Sequence, residues 1–186
     1  PGDCPCPPNL SDSCSFTGFA TAVEVNTSGN QYAVSADRAL FDRNSFGIKV
    51  NGHHFPSVTR CDFYQHINTL LSVNNVGLLL DNSTGYVVEE NTFRRSSYSS
   101  QFPTPTGIRT MGSGNQDNLL HRNLFLHLSW GVHATGNNRG LRMTCCEFSD
   151  NGNGIYSMSD SSVSLVQGAP DDLGAIFSGS AIVDKE

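Results

Sequence analysis

Cys146-Glu147-Phe148-Ser149-Asp150-Asn151-Gly152-Asn153-Gly154-Ile155 holds the unit that decides the fold: a Phe, six residues later a Gly, then an apolar residue. The same spacing joins Phe41 to Gly47-Ile48 and Phe125 to Gly131-Val132, and Phe16 to Ala22-Val23 with Ala in the Gly place. Phe63 to Gly77-Leu78 and Phe93 to Gly107-Ile108 carry a longer insert at the same point. From each Gly or Ala the next Phe follows after 16 to 19 residues. A self-similar unit of this size specifies a solenoid, in which each coil buries its apolar face only against its neighbours.

Within the unit, the residues after each Gly or Ala alternate. Val23-Glu24-Val25, Ile48-Lys49-Val50, Leu78-Leu79-Leu80, Ile108-Arg109-Thr110, Val132-His133-Ala134 and Ile155-Tyr156-Ser157 read as strands whose first and third residues face inward. Turns rich in Gly, Asn and Asp follow, such as Asn51-Gly52, Asp81-Asn82 and Gly136-Asn137, because a corner needs left-handed backbone angles. A second strand then places Val58, Val88, Leu120 and Met143 five residues before the Phe. Two residues before the Phe stands Cys14, Ala39, Cys61, Asn91, Asn123 or Cys146. Asn91 and Asn123 are expected to hydrogen-bond along the solenoid axis, with Cys and Ala filling the same space without bonding. The Phe residues are expected to form an inner aromatic stack, each contributing roughly 1.5–3 kcal/mol by burial.

Composition agrees with a thin-cored, turn-rich chain. Of 186 residues 37% are hydrophobic and 18 are Gly, which gives one domain with little helix-forming sequence. The net charge of −6 and the lack of a Lys/Arg cluster argue against a nucleic-acid partner or an anionic membrane surface. No apolar run reaches the roughly 20 residues that cross a bilayer, so no membrane insertion is expected. The start at Pro1 suggests a processed product or a piece of a longer protein. Residues 1–13 read as an irregular lead-in, 14–186 as one solenoid domain, and 158–186 as a less regular last coil or cap. Three of the six Cys fall on the stacked position, which explains them as packing. Cys14 and Cys61 would lie two coils apart, about 10 Å at roughly 4.8 Å per layer, too far for a disulfide. Cys4, Cys6 and Cys145 stay open; Cys4-Pro5-Cys6 with Cys14 matches no zinc signature.

Three short strands per coil, Asn at a corner and an inner Phe stack resemble the right-handed parallel β-helix of the pectin-lyase-like superfamily, over residues 14 to about 157. The resemblance implies an all-β solenoid of about six to seven coils and is nearly silent on function. Gly140 to Phe148, with Val166-Gln167-Gly168 and Gly174 to Ser178, also looks like a segment of large secreted Bacteroidetes proteins that end in a type IX secretion sorting domain. That likeness implies a secreted or cell-surface location.

In polysaccharide lyases of this superfamily the outward face of the strand after the Gly holds the substrate, a Lys or Arg takes the proton, and calcium often bridges the uronate. The corresponding row here is Glu24, Lys49, Leu79, Arg109, His133 and Tyr156. The inserts Tyr64 to Val76 and Arg94 to Thr106 should stack into a wall beside it, offering His66, Arg94, Arg95, Tyr98 and Phe102 to a sugar chain. The plainer reading of the row is solvated surface, and of Arg94-Arg95 charge balance against Glu89 and Glu90. No carboxylate pair at glycosidase spacing is evident, since Glu89-Glu90 and Asp171-Asp172 point to opposite faces of a strand. No cofactor is expected; calcium would need carboxylates to converge, and Asp81, Asp117 and Asp160 are separated. His53-His54, on a turn, are expected to be exposed. The expected function is a structural or carbohydrate-binding module, with a polysaccharide lyase or glycoside hydrolase using Lys49, Arg109 and His133 as the alternative. A filament-forming or adhesive surface protein, associating end to end, is the third reading.

Overall fold

The computed structural model describes residues 14–27, 34–65, 75–95, 105–158, 161–163, 176–178 and 181–184. The lead-in 1–13, with Cys4 and Cys6, lies outside the described residues, as do His66, Tyr98, Phe102 and Asp160. Among the described residues every regular element is a strand, and the strands wind into three parallel sheets. The first, the Phe sheet, stacks Ser15–Thr17, Leu40–Asp42, Asp62–Gln65, Thr92–Arg95, Leu124–Leu126, Glu147–Ser149 and Ile176–Ser178. The second, the Gly sheet, stacks Thr21–Asn26, Phe46–Asn51, Val76–Asp81, Thr106–Met111, Trp130–Thr135, Asn153–Ser157 and Ala181–Asp184. A third sheet holds Ser35–Asp37, Ser57–Thr59, Val87–Glu89, Asn118–His121 and Leu141–Thr144. A two-stranded ladder pairs Asn137–Asn138 with Ser162–Val163. This is a parallel β-helix with three strands per coil, as the repeat requires.

Register places like on like. Phe41 pairs with Phe16 and Phe63, and Phe125 with Phe93 and Phe148. Their rings stack with centroids 4.6 to 5.2 Å apart and planes within 8°. The Gly position is forced by that stack. A Cβ on Gly131 would stand 2.6 Å from the Phe148 ring and 2.6 Å from the Gly154 carbonyl oxygen; Gly47, Gly77 and Gly107 meet the next Phe in the same way. The Gly is thus the floor on which the next coil's ring lies.

The stacked position two residues before the Phe is a polar ladder. Asn91 Nδ2 donates to Asn123 Oδ1 (2.9 Å) and to the Val58 carbonyl (2.9 Å), and Asn91 Oδ1 accepts from the Cys61 N–H (2.9 Å). Asn123 Nδ2 donates to the Val88 carbonyl at 2.8 Å. The cysteines do more than fill space: Cys146 Sγ donates to the Leu120 carbonyl at 3.5 Å, the bond that Asn makes one coil earlier, and Cys61 Sγ donates to Thr59 O at 3.3 Å. Cys14, Cys61, Cys145 and Cys146 are all free thiols.

One expectation needs correction and two gain detail. The corners after the Gly sheet use Gly and Asn with positive φ as expected, at Gly52, Asn82, Gly112 and Gly136, and the corners after the third sheet add Arg38, Arg60, Glu90, Arg122 and Cys145. His53 is buried, not exposed, because its corner row turns inward; its Nδ1 bonds the His54 carbonyl at 2.7 Å. Within 158–186, expected as a less regular last coil or cap, the described strands Ile176–Ser178 and Ala181–Asp184 add to the Phe and Gly sheets. Phe177 pairs with Phe148 and Ile182 with Ile155, but a register shift shortens the Phe-to-apolar spacing, which hides this coil from a fixed-spacing search.

Candidate functional site

The outward row of the Gly sheet exists as a continuous line. Glu24 pairs with Lys49, Lys49 with Leu79, Leu79 with Arg109, Arg109 with His133 and His133 with Tyr156. Its two ends differ chemically. At the first, Lys49 Nζ lies 3.0 Å from Glu24 Oε1, and Asn26 Nδ2 donates to the same oxygen, so Lys49 and Asn26 hold the Glu24 carboxyl below its ordinary range. Leu79, 8% exposed, then separates Lys49 from Arg109. Lys49 and Arg109 are two layers apart, about 9.6 Å at roughly 4.8 Å per layer, and do not share one reacting centre.

The other end is an aromatic and cationic cluster over three neighbouring strands. Trp130, on the same strand as His133, stacks on Tyr156 at 5.1 Å and 10°. His133 packs beside both rings, tilted against Trp130 at 4.6 Å and edge-on to Tyr156 at 5.1 Å. It is only 5% exposed, and neither ring nitrogen has a partner. Burial first, and the Arg109 charge second, push its pKa down to about 4, so the imidazole is neutral at physiological pH. Arg109 Nε is likewise buried without a partner. The indole N–H of Trp130 donates to the Asn153 side-chain oxygen at 3.2 Å once that amide is oriented to suit its neighbours.

Sequence reasoning placed Arg109, His133 and Tyr156 in one row but missed Trp130. The available signal was its position immediately before Gly131, in register with Thr106, Val76 and Phe46 of the preceding coils.

The two arginines of the second insert part company. Arg94 points outward and makes a two-pronged pair with Asp62 of the preceding coil (Nη2–Oδ2 2.6 Å, Nε–Oδ1 3.1 Å), above the Tyr64 ring. The charge balance expected from Glu89 and Glu90 goes elsewhere: Glu90 faces Arg122 at 3.6 Å and Glu89 faces His121 at 3.9 Å. Arg95 faces inward and is 4% exposed. Among the described residues no group of three or more His, Cys, Asp or Glu is arranged to hold a metal ion. No helix of the described chain is long and apolar enough to cross a membrane.

Over residues 10–168 the sequence matches the family described as right handed beta helix region. Comparison with curated proteins and with solved structures finds no match. Parallel sheets in register, three strands to a coil, and a family match over most of its length lead to one conclusion: the chain belongs to the right-handed β-helix family.

Proposed function

We propose that the chain is an extracellular or cell-surface β-solenoid module that holds a carbohydrate chain against the outer face of its Gly sheet without altering it chemically. The observation that carries this reading is the Trp130–Tyr156 stack, half-buried, with Arg109 beside it on the adjoining coil. Half-exposed aromatic rings offer apolar surface to sugar C–H groups, and a guanidinium beside them offers N–H donors to ring substituents. A solenoid suits the task because neighbouring coils present such groups at a fixed interval of about 4.8 Å.

A lyase is the second reading, favoured by the neutral His133 beside Arg109. It receives less support because Lys49 is tied to Glu24 and stands apart from the cluster. Glycan-array retention tests the binding reading: Trp130→Ala with Tyr156→Ala should lower retention at least tenfold while the strand-rich circular dichroism spectrum is kept. Retention equal to that of the unsubstituted chain would remove this face from consideration. New ultraviolet absorbance on incubation with uronate polymers, lost in Arg109→Ala, would replace binding by elimination chemistry.

A further inference from the structure

The two inserts change the strand that precedes them. In coils with a short corner, the residue two after the Phe turns the chain: Gly18, Arg43, His127 and Asp150 all have φ between 52° and 78°. In the two coils with inserts the strand runs one residue further, as Asp62–Gln65 and Thr92–Arg95. Alternation then sends that fourth side chain to the same inner face as the Phe, so Gln65 and Arg95 are driven inward, paired in register. Gln65 is partly satisfied: its Nε2 donates to the Thr106 carbonyl at 2.6 Å, which fixes the amide and leaves Oε1 buried without a partner. Beside it, a cleft lined by Phe63, Tyr64, Gly77 and Asn44 has room for about one water, roughly 10 Å³.

Arg95 is the unbalanced group. Its Nη1 is buried without a partner, and burial is the one influence acting on its charge, lowering its pKa. Asp62, on the adjacent coil, is already engaged by Arg94. The inserts that follow the two strands, residues 66–74 and 96–104, contain neither Asp nor Glu, so they bring no counter-charge. A guanidinium taken from water without an anion is costly, and a neutral Gln oxygen does not cancel its charge.

We propose that Arg95, at the root of the second insert, is a binding site for a carboxylate supplied from outside the chain. A carboxylate matches the planar fork of the guanidinium and neutralises it. The site faces the solenoid interior at a corner and is independent of the Trp130–Tyr156 face.

Thermal unfolding of the full chain at constant ionic strength, with sodium chloride replaced stepwise by sodium acetate or by sodium glucuronate, tests it. The midpoint should rise roughly 3–6 °C per tenfold carboxylate above its dissociation constant. Response to acetate identifies a free small carboxylate as sufficient; response to glucuronate alone identifies a sugar-borne one. Arg95→Met should abolish the response and, without carboxylate, unfold at the same temperature as the unsubstituted chain or higher, since it removes an unpaired buried charge. Arg95→Lys should retain a weaker response. A midpoint indifferent to both carboxylates, or a response that persists in Arg95→Met, overturns the site. So does an Arg95→Met chain that is markedly less stable in chloride alone, which would make Arg95 a structural partner. Loss of glycan retention in Trp130→Ala leaves this result untouched, so the two proposals fail separately.

Discussion

At the scale of single residues, position in the coil decides chemistry more than residue type does. Arg94 and Arg95 are adjacent and chemically identical, yet one is an exposed partner of Asp62 and the other a buried cation without an anion. His133 shows the same rule: an outward position would ordinarily leave a histidine hydrated, but Trp130 and Tyr156 cover it. This has a consequence for stability. The folded pKa is about 4 against 6.5 in the unfolded chain, so as pH falls the unfolded chain takes up the proton first. Stability from this site is therefore complete above pH 6.5, falls between 6.5 and about 4, and falls no further once both states are protonated. The loss is about 3 kcal/mol at most. Urea unfolding of the unsubstituted chain and of His133→Phe, measured from pH 7.5 to 4, should diverge in slope over that window. Parallel curves would mean that the imidazole is hydrated in the folded protein.

At the scale of the element, the inner ladder explains why one position accepts Asn, Cys or Ala. Asn91 and Asn123 each satisfy a backbone carbonyl of the third sheet and a backbone N–H or amide of the neighbouring coil, while Cys146 satisfies the carbonyl alone. Replacing Asn91 or Asn123 by Ala should cost about 1–3 kcal/mol, since buried backbone groups lose their partners. The double substitution should cost less than the sum, because the Asn91 Nδ2 to Asn123 Oδ1 bond is removed only once. Asn123→Cys should recover part of the loss by donating to Val88 as Cys146 donates to Leu120. Additive losses in a urea double-mutant cycle would show that the ladder is two separate caps. The rows of this ladder were legible in the sequence because their spacing from the Phe is constant. Where spacing varies the reading failed: Phe177 was passed over because its coil is shorter between Phe and apolar residue, and Arg95 was assigned to an outer wall because nothing local says that a strand runs one residue further before an insert. Trp130 was missed for another reason, since its importance lies in a ring on the next coil and not in its own strand.

At the scale of the whole molecule, a β-helix is a stack of similar layers, and its stability is close to a sum of coil and interface contributions. Phe16, Phe41, Phe63, Phe93, Phe125 and Phe148 form one column, but its members are unequal. Phe93 is fully buried between Phe63 at 4.6 Å and Phe125 at 5.2 Å, whereas Phe16 is partly exposed and has a described ring neighbour on one side, Phe41 at 5.1 Å. The Gly floor sharpens the contrast, since the Phe93 ring is seated against Gly77. Phe93→Ala should therefore cost about 3–5 kcal/mol, the range for emptying a close-packed aromatic site. Phe16→Ala should cost less than half as much, because the removed ring buries less surface and leaves an opening at the end of the column, not an enclosed void. The layered architecture also predicts where the damage goes. In Phe16→Ala, hydrogen exchange should quicken in Ser15–Thr17 and Thr21–Asn26 while the strands from Asp62 onward keep their protection. In Phe93→Ala, protection should fall on both sides of the defect, from Asp62–Gln65 through Leu124–Leu126, since each of those strands bonds Thr92–Arg95. Equal losses of stability in the two variants, with exchange quickened uniformly from end to end, would mean that the coils melt as one cooperative unit and that the nearest-neighbour description does not hold for this chain.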